Sequence, residues 1–204
     1  MIVMLDGWIA LSKRLARMAI TIGGLMVFAS AFLIGLEVLL RKLFLVSIGG
    51  ADELSGYAFA IGTSWGFAFT LLDRANVRVD ALYSRFGARL RVCCDVLALL
   101  ALGVFVGFLG WSASQVLATS LQFSSRATTP LATPLWIPQG LWVIGFALFA
   151  FGFVPLIARV LCALASGDHA RITRLVGARS IQEDVAEEMS HVAHADGQPP
   201  LGRC

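Results

Sequence analysis

Charged residues leave four long gaps along the chain: Met18–Leu36, Leu54–Leu72, Val96–Ser125 and Ala127–Ala158. A helix needs about 20 apolar residues to cross the hydrocarbon layer of a bilayer. The first two gaps fit one span each, and the third fits one span followed by polar residues. The fourth opens with "ATTPLATPLWIPQG", where Pro130, Pro134 and Pro138 make a loop or the start of a helix rather than a helix centre. Its spanning part begins near Trp136, with Pro155 tolerated near the far end. The pattern predicts an all-α integral membrane protein with four transmembrane helices, at about 18–40, 54–72, 92–115 and 136–158. These make one membrane domain, residues 1–165.

Two further stretches show the narrower apolar stripe of a helix lying at an interface. In Met1–Arg17, Leu5, Trp8, Ile9, Ser12 and Leu15 follow helical spacing, and Asp6, Lys13, Arg14 and Arg17 fall mostly elsewhere. In "VDALYSRFGARLRV", Val79, Leu82, Tyr83, Phe86 and Leu90 repeat at helical spacing, with Arg78, Arg85 and Arg89 on the other side. Either the headgroup layer or a protein partner covers that second stripe. Trp8, Tyr83, Arg85 and Arg89 are the residues expected to meet lipid headgroups. The triplet "ASA" at Ala29–Ala31 resembles a signal-peptidase site. The apolar run continues past it to Leu36 without a turn, so an uncleaved anchor is expected.

Composition agrees with the pattern. The 204 residues are 58% hydrophobic and only 14% charged, with a mean hydropathy of +0.80. A soluble domain of this size carries far more polar surface. The net charge of +3 is too small and scattered for a nucleic-acid partner. Its distribution sets an orientation. Lys13, Arg14 and Arg17 precede the first span, Arg74, Arg78, Arg85, Arg89 and Arg91 follow the second, and Arg159, Arg171, Arg174 and Arg179 follow the fourth. The opposite loops hold Arg41 and Lys42, offset by Asp52 and Glu53, and Arg126 alone. The positive-inside rule therefore puts both termini in the cytoplasm. Tyr57, Trp111 and Trp136 are expected at the outer headgroup level. Residues 166–204 form a polar cytoplasmic tail, solvated and partly disordered, as in "SIQEDVAEEMSHVAHADGQPPLGRC".

Little in the spans can do chemistry. Glu37 is an ionisable residue near the outer end of the first span, which makes it a functional candidate. Arg41 lies four residues on, in the favourable order for a helical ion pair, so a structural role stays open beside it. Cys93, Cys94, Cys162 and Cys204 form no CxxC and fall on the side where thiols stay reduced. His169, His191 and His194 lack a metal-ligand arrangement. No nucleophile–base pair or cofactor motif is visible, so the expectation is no enzyme, no cofactor and no metal. Gly62 with Gly66, and Gly103 with Gly107, form small-xxx-small pairs that suit close helix packing. An outer-end pair of Arg41 with Glu53 is expected, with Glu37 competing for Arg41.

The stretch "EVLLRKLF…GGADELSGYAFAIGTSWGFAFTLLDRANVRVDALYSRF" resembles the DctQ-like small membrane subunit of tripartite ATP-independent periplasmic (TRAP) transporters. The pattern comprises Arg41 at the end of the first span, Glu53 and Leu54 opening the second, Gly66 within it, Arg74 in a basic turn, and Val77, Arg78, Val79 and Asp80 leading the amphipathic segment. "TPLWIPQGLWVIGF" is similar to the family's fourth-span start, and the resemblance runs from about Leu5 to Ala165. Asn76 departs from the pattern, where many members carry His.

The resemblance implies a scaffolding subunit in the bacterial inner membrane. Its partners are then a large membrane subunit, which holds the sodium and substrate sites, and a periplasmic binding protein that delivers an organic acid. Glu37, Arg41, Glu53, Gly62, Gly66, Arg74, Arg78 and Asp80 become candidates for structure or interface. A stand-alone homo-oligomeric transporter or channel is the alternative, favoured if Glu37 faces water.

Overall fold

The structure, a computed structural model, describes residues 2–74 and 87–167, and beyond them 172, 175–177 and 189. Among the described residues the chain is all-helical, with four long helices: α1 (Ile2–Phe44), α2 (Ala51–Leu72), α3 (Ala88–Gln122) and α4 (Trp136–Ala165). Three of them are long and apolar enough to cross a membrane: Leu5–Phe44, Arg89–Gln122 and Trp136–Ala165. The chain is thus an all-α, multi-pass membrane protein. α2, expected as a fourth span, falls short on composition. Its glycines, serines and threonines, with Trp65 and Tyr57, dilute the apolar residues.

Those small residues have a structural use. α2 lies between α1 and α4, and α4 also packs on α3 and α1. A Cβ on Gly62 would stand 2.8 Å from Val27 Cγ2 and 2.9 Å from the Gly23 carbonyl oxygen, so α1 and α2 cross almost backbone to backbone. A Cβ on Gly145 of α4 would collide with Ser64. Trp65 Nε1 donates to the Leu141 carbonyl at 2.9 Å, and Phe67 stacks on Phe146. α3 meets α4 in antiparallel register. Gly103 receives the Phe153 ring and Gly110 receives Phe146, seven residues apart on each helix. Leu99, Val106 and Ala113 fill the same buried stripe.

The helices run further than the apolar gaps. The expected interfacial helix Met1–Arg17 and the first span are one uninterrupted helix, because nothing in "SKRLARMAITIGG" breaks it. Forty-three residues at 1.5 Å each extend roughly 65 Å, twice the hydrocarbon thickness. The N-terminal part of α1 instead packs along α4: Trp8 lies against Phe151, and Asp6 pairs with Arg159. Of the second interfacial stripe, Val79, Leu82, Tyr83 and Phe86 lie outside the described residues, and Leu90 opens α3. Pro138 sits in the first turn of α4, where its missing N–H costs no helical bond. The tail is not polar throughout: Ile172 and Val176 are buried in the core, with Leu175 packed beside them. Their i and i+4 spacing, with Leu175 between, gives a short apolar face in an otherwise charged stretch.

Candidate partner and membrane interface

One end of the bundle is built from the α1–α2 turn and the α3–α4 loop. α1 ends with Arg41 and Lys42 in its last turn, the charge its C-terminus favours. Leu45 then takes φ 59°, a conformation that side chains other than Gly, Asn and Asp seldom adopt. What holds the chain there is Glu37, which is only 4% exposed. Its Oε1 accepts from Arg41 Nη2 at 2.6 Å and from the Ser47 hydroxyl at 2.6 Å, and its Oε2 accepts from the Ile48 backbone N–H at 2.7 Å. The carboxylate therefore folds the turn back onto the helix.

The α3–α4 loop is a small hairpin-like arch. Arg126 and Pro134 form a β-bridge, Ala127 N–H donates to Thr133 O at 3.0 Å, and Leu135 N–H donates to Ser125 O at 3.1 Å. At its tip the Thr129 hydroxyl donates to Glu53 Oε2, while the Tyr57 hydroxyl donates to Glu53 Oε1 at 2.7 Å. Thr129 holds the Glu53 carboxyl below the ordinary carboxylate range. Lost hydration works the other way, and Tyr57 and Thr133 add to the lowering. Next to this latch Leu131 covers Gly50, which takes φ 93° at the start of α2.

The expected Arg41–Glu53 pair is not what forms. Arg41 goes to Glu37, four residues back, and Glu53 goes to Tyr57 and the arch. An i,i+4 partner on the same helix is positioned by the backbone itself, whereas a partner on α2 has to be brought to it. The Arg41 side chain stays 63% exposed, so its share of the anchor is small. Glu37→Ala is therefore expected to lower the thermal unfolding midpoint in detergent more than Arg41→Ala. An equal or larger fall for Arg41→Ala would make the ion pair, rather than the turn, the purpose of Glu37.

Of the other candidates, Gly62 packs on Gly23 and Val27 as described, whereas Gly66 meets only Ile20 Cδ1, at an ordinary 3.4 Å. Gly103 receives Phe153, but a Cβ on Gly107 would meet nothing within 4 Å. Arg74 follows α2 at φ 55°. Arg78, Asp80, Tyr83 and Arg85 lie outside the described residues. Arg89 is exposed in the first turn of α3, and Trp8 packs at a tilt against Phe151. Trp111 stands beside the level of Gly145, nine residues and roughly 13 Å along the bundle from Trp136, so the two tryptophans do not share one headgroup level.

Sequence reasoning missed Asp95, which is fully buried near the start of α3. Its signal was position: it falls on the stripe of Val92, Leu99, Val106 and Ala113. Asp6–Arg159 and Thr129–Glu53 were also missed, because long-range partners leave no spacing to read.

The bundle leaves two large apolar faces uncovered. On α1, Leu25, Phe28, Phe32, Leu39 and Leu43 form one stripe, with Phe28 72% exposed. On α3, Leu97, Leu100, Val104, Phe108 and Trp111 form another. Such faces are at home only in lipid or against another membrane protein. Among the described residues no group of three His, Cys, Asp or Glu side chains could hold a metal ion. Cys93 and Cys162 are exposed, and Cys94 is half-buried.

No curated protein and no solved structure matches the chain. Residues 30–163 match the family described as tripartite ATP-independent periplasmic transporters, DctQ component. The match takes in α2, α3, the arch, most of α4 and the part of α1 that carries Glu37. The chain belongs to the DctQ family, the small membrane component of TRAP transporters.

Proposed function

We propose that this chain is the scaffolding subunit of a sodium-coupled TRAP transporter in the bacterial inner membrane. It pairs with the large transport subunit, which moves an organic acid delivered by a periplasmic binding protein. The observation that carries this reading is that Glu37 and three buried serines are committed within the bundle, while the buried atoms left without a hydrogen bond among the described residues, on Gln139 and Arg159, lie 20 residues apart along α4 and do not converge on one site. Ser12, Ser55 and Ser64 are buried and donate to carbonyls of their own helices. Glu37 is used up by the α1–α2 turn. Replacing the hydration of a carboxylate and its coupling ion needs convergent polar groups, and leaving such groups unsatisfied in lipid costs several kcal/mol each. A partner must therefore supply the substrate path. The aromatic faces of α1 and α3 offer it, and the surrounding lipid, an apolar surface to cover.

In this reading α2 is the fourth span. Its 22 residues reach roughly 33 Å, enough for the hydrocarbon layer. Its two long neighbours cover one side of it, so it needs less hydropathy than they do. Thr63 and Thr70 donate to carbonyls four residues back, and Ser55 and Ser64 to carbonyls three residues back, so the hydroxyls stay satisfied at membrane depth. Both termini are then cytoplasmic, with the Glu37 turn and the arch facing the periplasm. A membrane-impermeant thiol reagent added outside intact cells is expected to leave Cys162 and Cys204 unlabelled until the membrane is permeabilised. Labelling of Cys162 in intact cells reverses the orientation.

The pairing itself is tested by affinity purification of the tagged chain from cells that co-express a TRAP large subunit from the same genome. A stable complex of the two in mild detergent is expected. A chain that elutes only as its own oligomer under those conditions contradicts the scaffold reading and favours a stand-alone transporter.

A further inference from the structure

A groove of about 490 Å³ runs along the first three turns of α3, away from the Glu37 turn and the arch. Val96, Leu97, Leu100 and Cys93 line its length, and Leu164 from the end of α4 closes one side. Arg89 stands at its mouth, exposed, in a first helical turn that carries no acidic residue. Arg89 to Leu100 spans eleven residues, roughly 16 Å, about half of a hydrocarbon layer of about 30 Å. Among the described residues that line it, the groove thus has the length of one leaflet, an apolar wall and one cation, Arg89, at its end.

That arrangement matches one kind of occupant. We infer that the groove holds one acyl chain of an anionic phospholipid, with the Arg89 guanidinium on the lipid phosphate. A guanidinium binds phosphate oxygens through paired, charge-assisted hydrogen bonds. The groove walls exclude water around the chain, and burying each CH₂ is favourable by about 0.8 kcal/mol relative to water. In a bilayer that gain is shared with bulk lipid, so selectivity falls to the headgroup and Arg89. A peptide segment would need partners for its backbone amides, which this wall of aliphatic side chains does not supply. The site requires only that the chain sits in a membrane, and it is independent of the large subunit.

The test is native mass spectrometry on the delipidated full-length chain in detergent, titrated separately with phosphatidylglycerol and phosphatidylcholine of identical acyl chains. One retained phosphatidylglycerol per chain is expected, at about tenfold lower concentration than phosphatidylcholine requires. Arg89→Ala is expected to abolish that preference and leave weak retention of both lipids. Leu100→Trp and, independently, Leu97→Trp fill the groove from exposed positions and are expected to remove retention of both, with unchanged elution and unfolding midpoints. Equal retention of the two lipids by the unsubstituted chain overturns the inference. So does retention that survives both tryptophan variants, and so does no retained lipid at all, as when a segment of the chain itself fills the groove.

Discussion

Gly62→Leu is expected to separate α1 from α2 and to destabilise the chain by about 3 kcal/mol or more, the upper range for overpacking a tight core. The geometry leaves no milder outcome. The first added carbon alone would meet the Gly23 carbonyl oxygen at 2.9 Å and Val27 Cγ2 at 2.8 Å. Val27 can rotate, but the Gly23 carbonyl is helix backbone and cannot move without moving α1. From the α1 side, a Cβ on Gly23 would stand 3.0 Å from Gly62 Cα, so Gly23→Leu is expected to act alike. Gly66→Ala, against the flexible end of Ile20 at 3.4 Å, is the control and is expected to be close to neutral, because ordinary contact and better helix propensity act together. Thermal unfolding in detergent checks the series. A Gly62 variant as stable as Gly66→Ala would mean that the two helices do not cross at that point.

This contrast also marks how far the sequence could be read. The small-xxx-small pair was visible, but the spacing gives two equivalent glycines, and only the crossing point on α1 makes Gly62 the tight one. The same holds for Gly103, which meets Phe153, against Gly107, which meets nothing. The four helices were legible because the charge-free gaps are long and bounded by Arg, Lys, Asp and Glu. Their ends were less so, since Lys13, Arg14 and Arg17 mark a change of solvent and not a break in the helix. The pairing of Glu37 with Arg41 could be read from i,i+4 spacing. The use of Glu37 by Ser47 and Ile48 could not, because it depends on Leu45 turning the chain at φ 59°. Glu53 was singled out as a residue of interest but given the wrong partner. Its carboxylate reaches Thr129, far along the chain, and no periodicity links the two.

α2 shows the converse. Judged by hydropathy alone it is the poorest of the four helices, yet it packs between α1 and α4. Its glycines lower hydropathy and permit close approach to its neighbours, so the property that weakens the sequence signal is the one that shapes the bundle. Helices chosen for contact with protein need not look like helices chosen for contact with lipid.

Transport by the isolated chain is the most direct measurement of the scaffold account. The purified chain is placed alone in liposomes with an inward sodium gradient and a radiolabelled organic acid that the complete system takes up. No uptake above empty liposomes is expected, because Ser12, Ser55, Ser64 and Glu37 spend their polar atoms on the bundle itself. Adding the large subunit and the loaded binding protein is expected to restore uptake, and Gly62→Leu is expected to reduce it without changing which acid is chosen. Sodium-driven uptake by this chain alone would contradict the account.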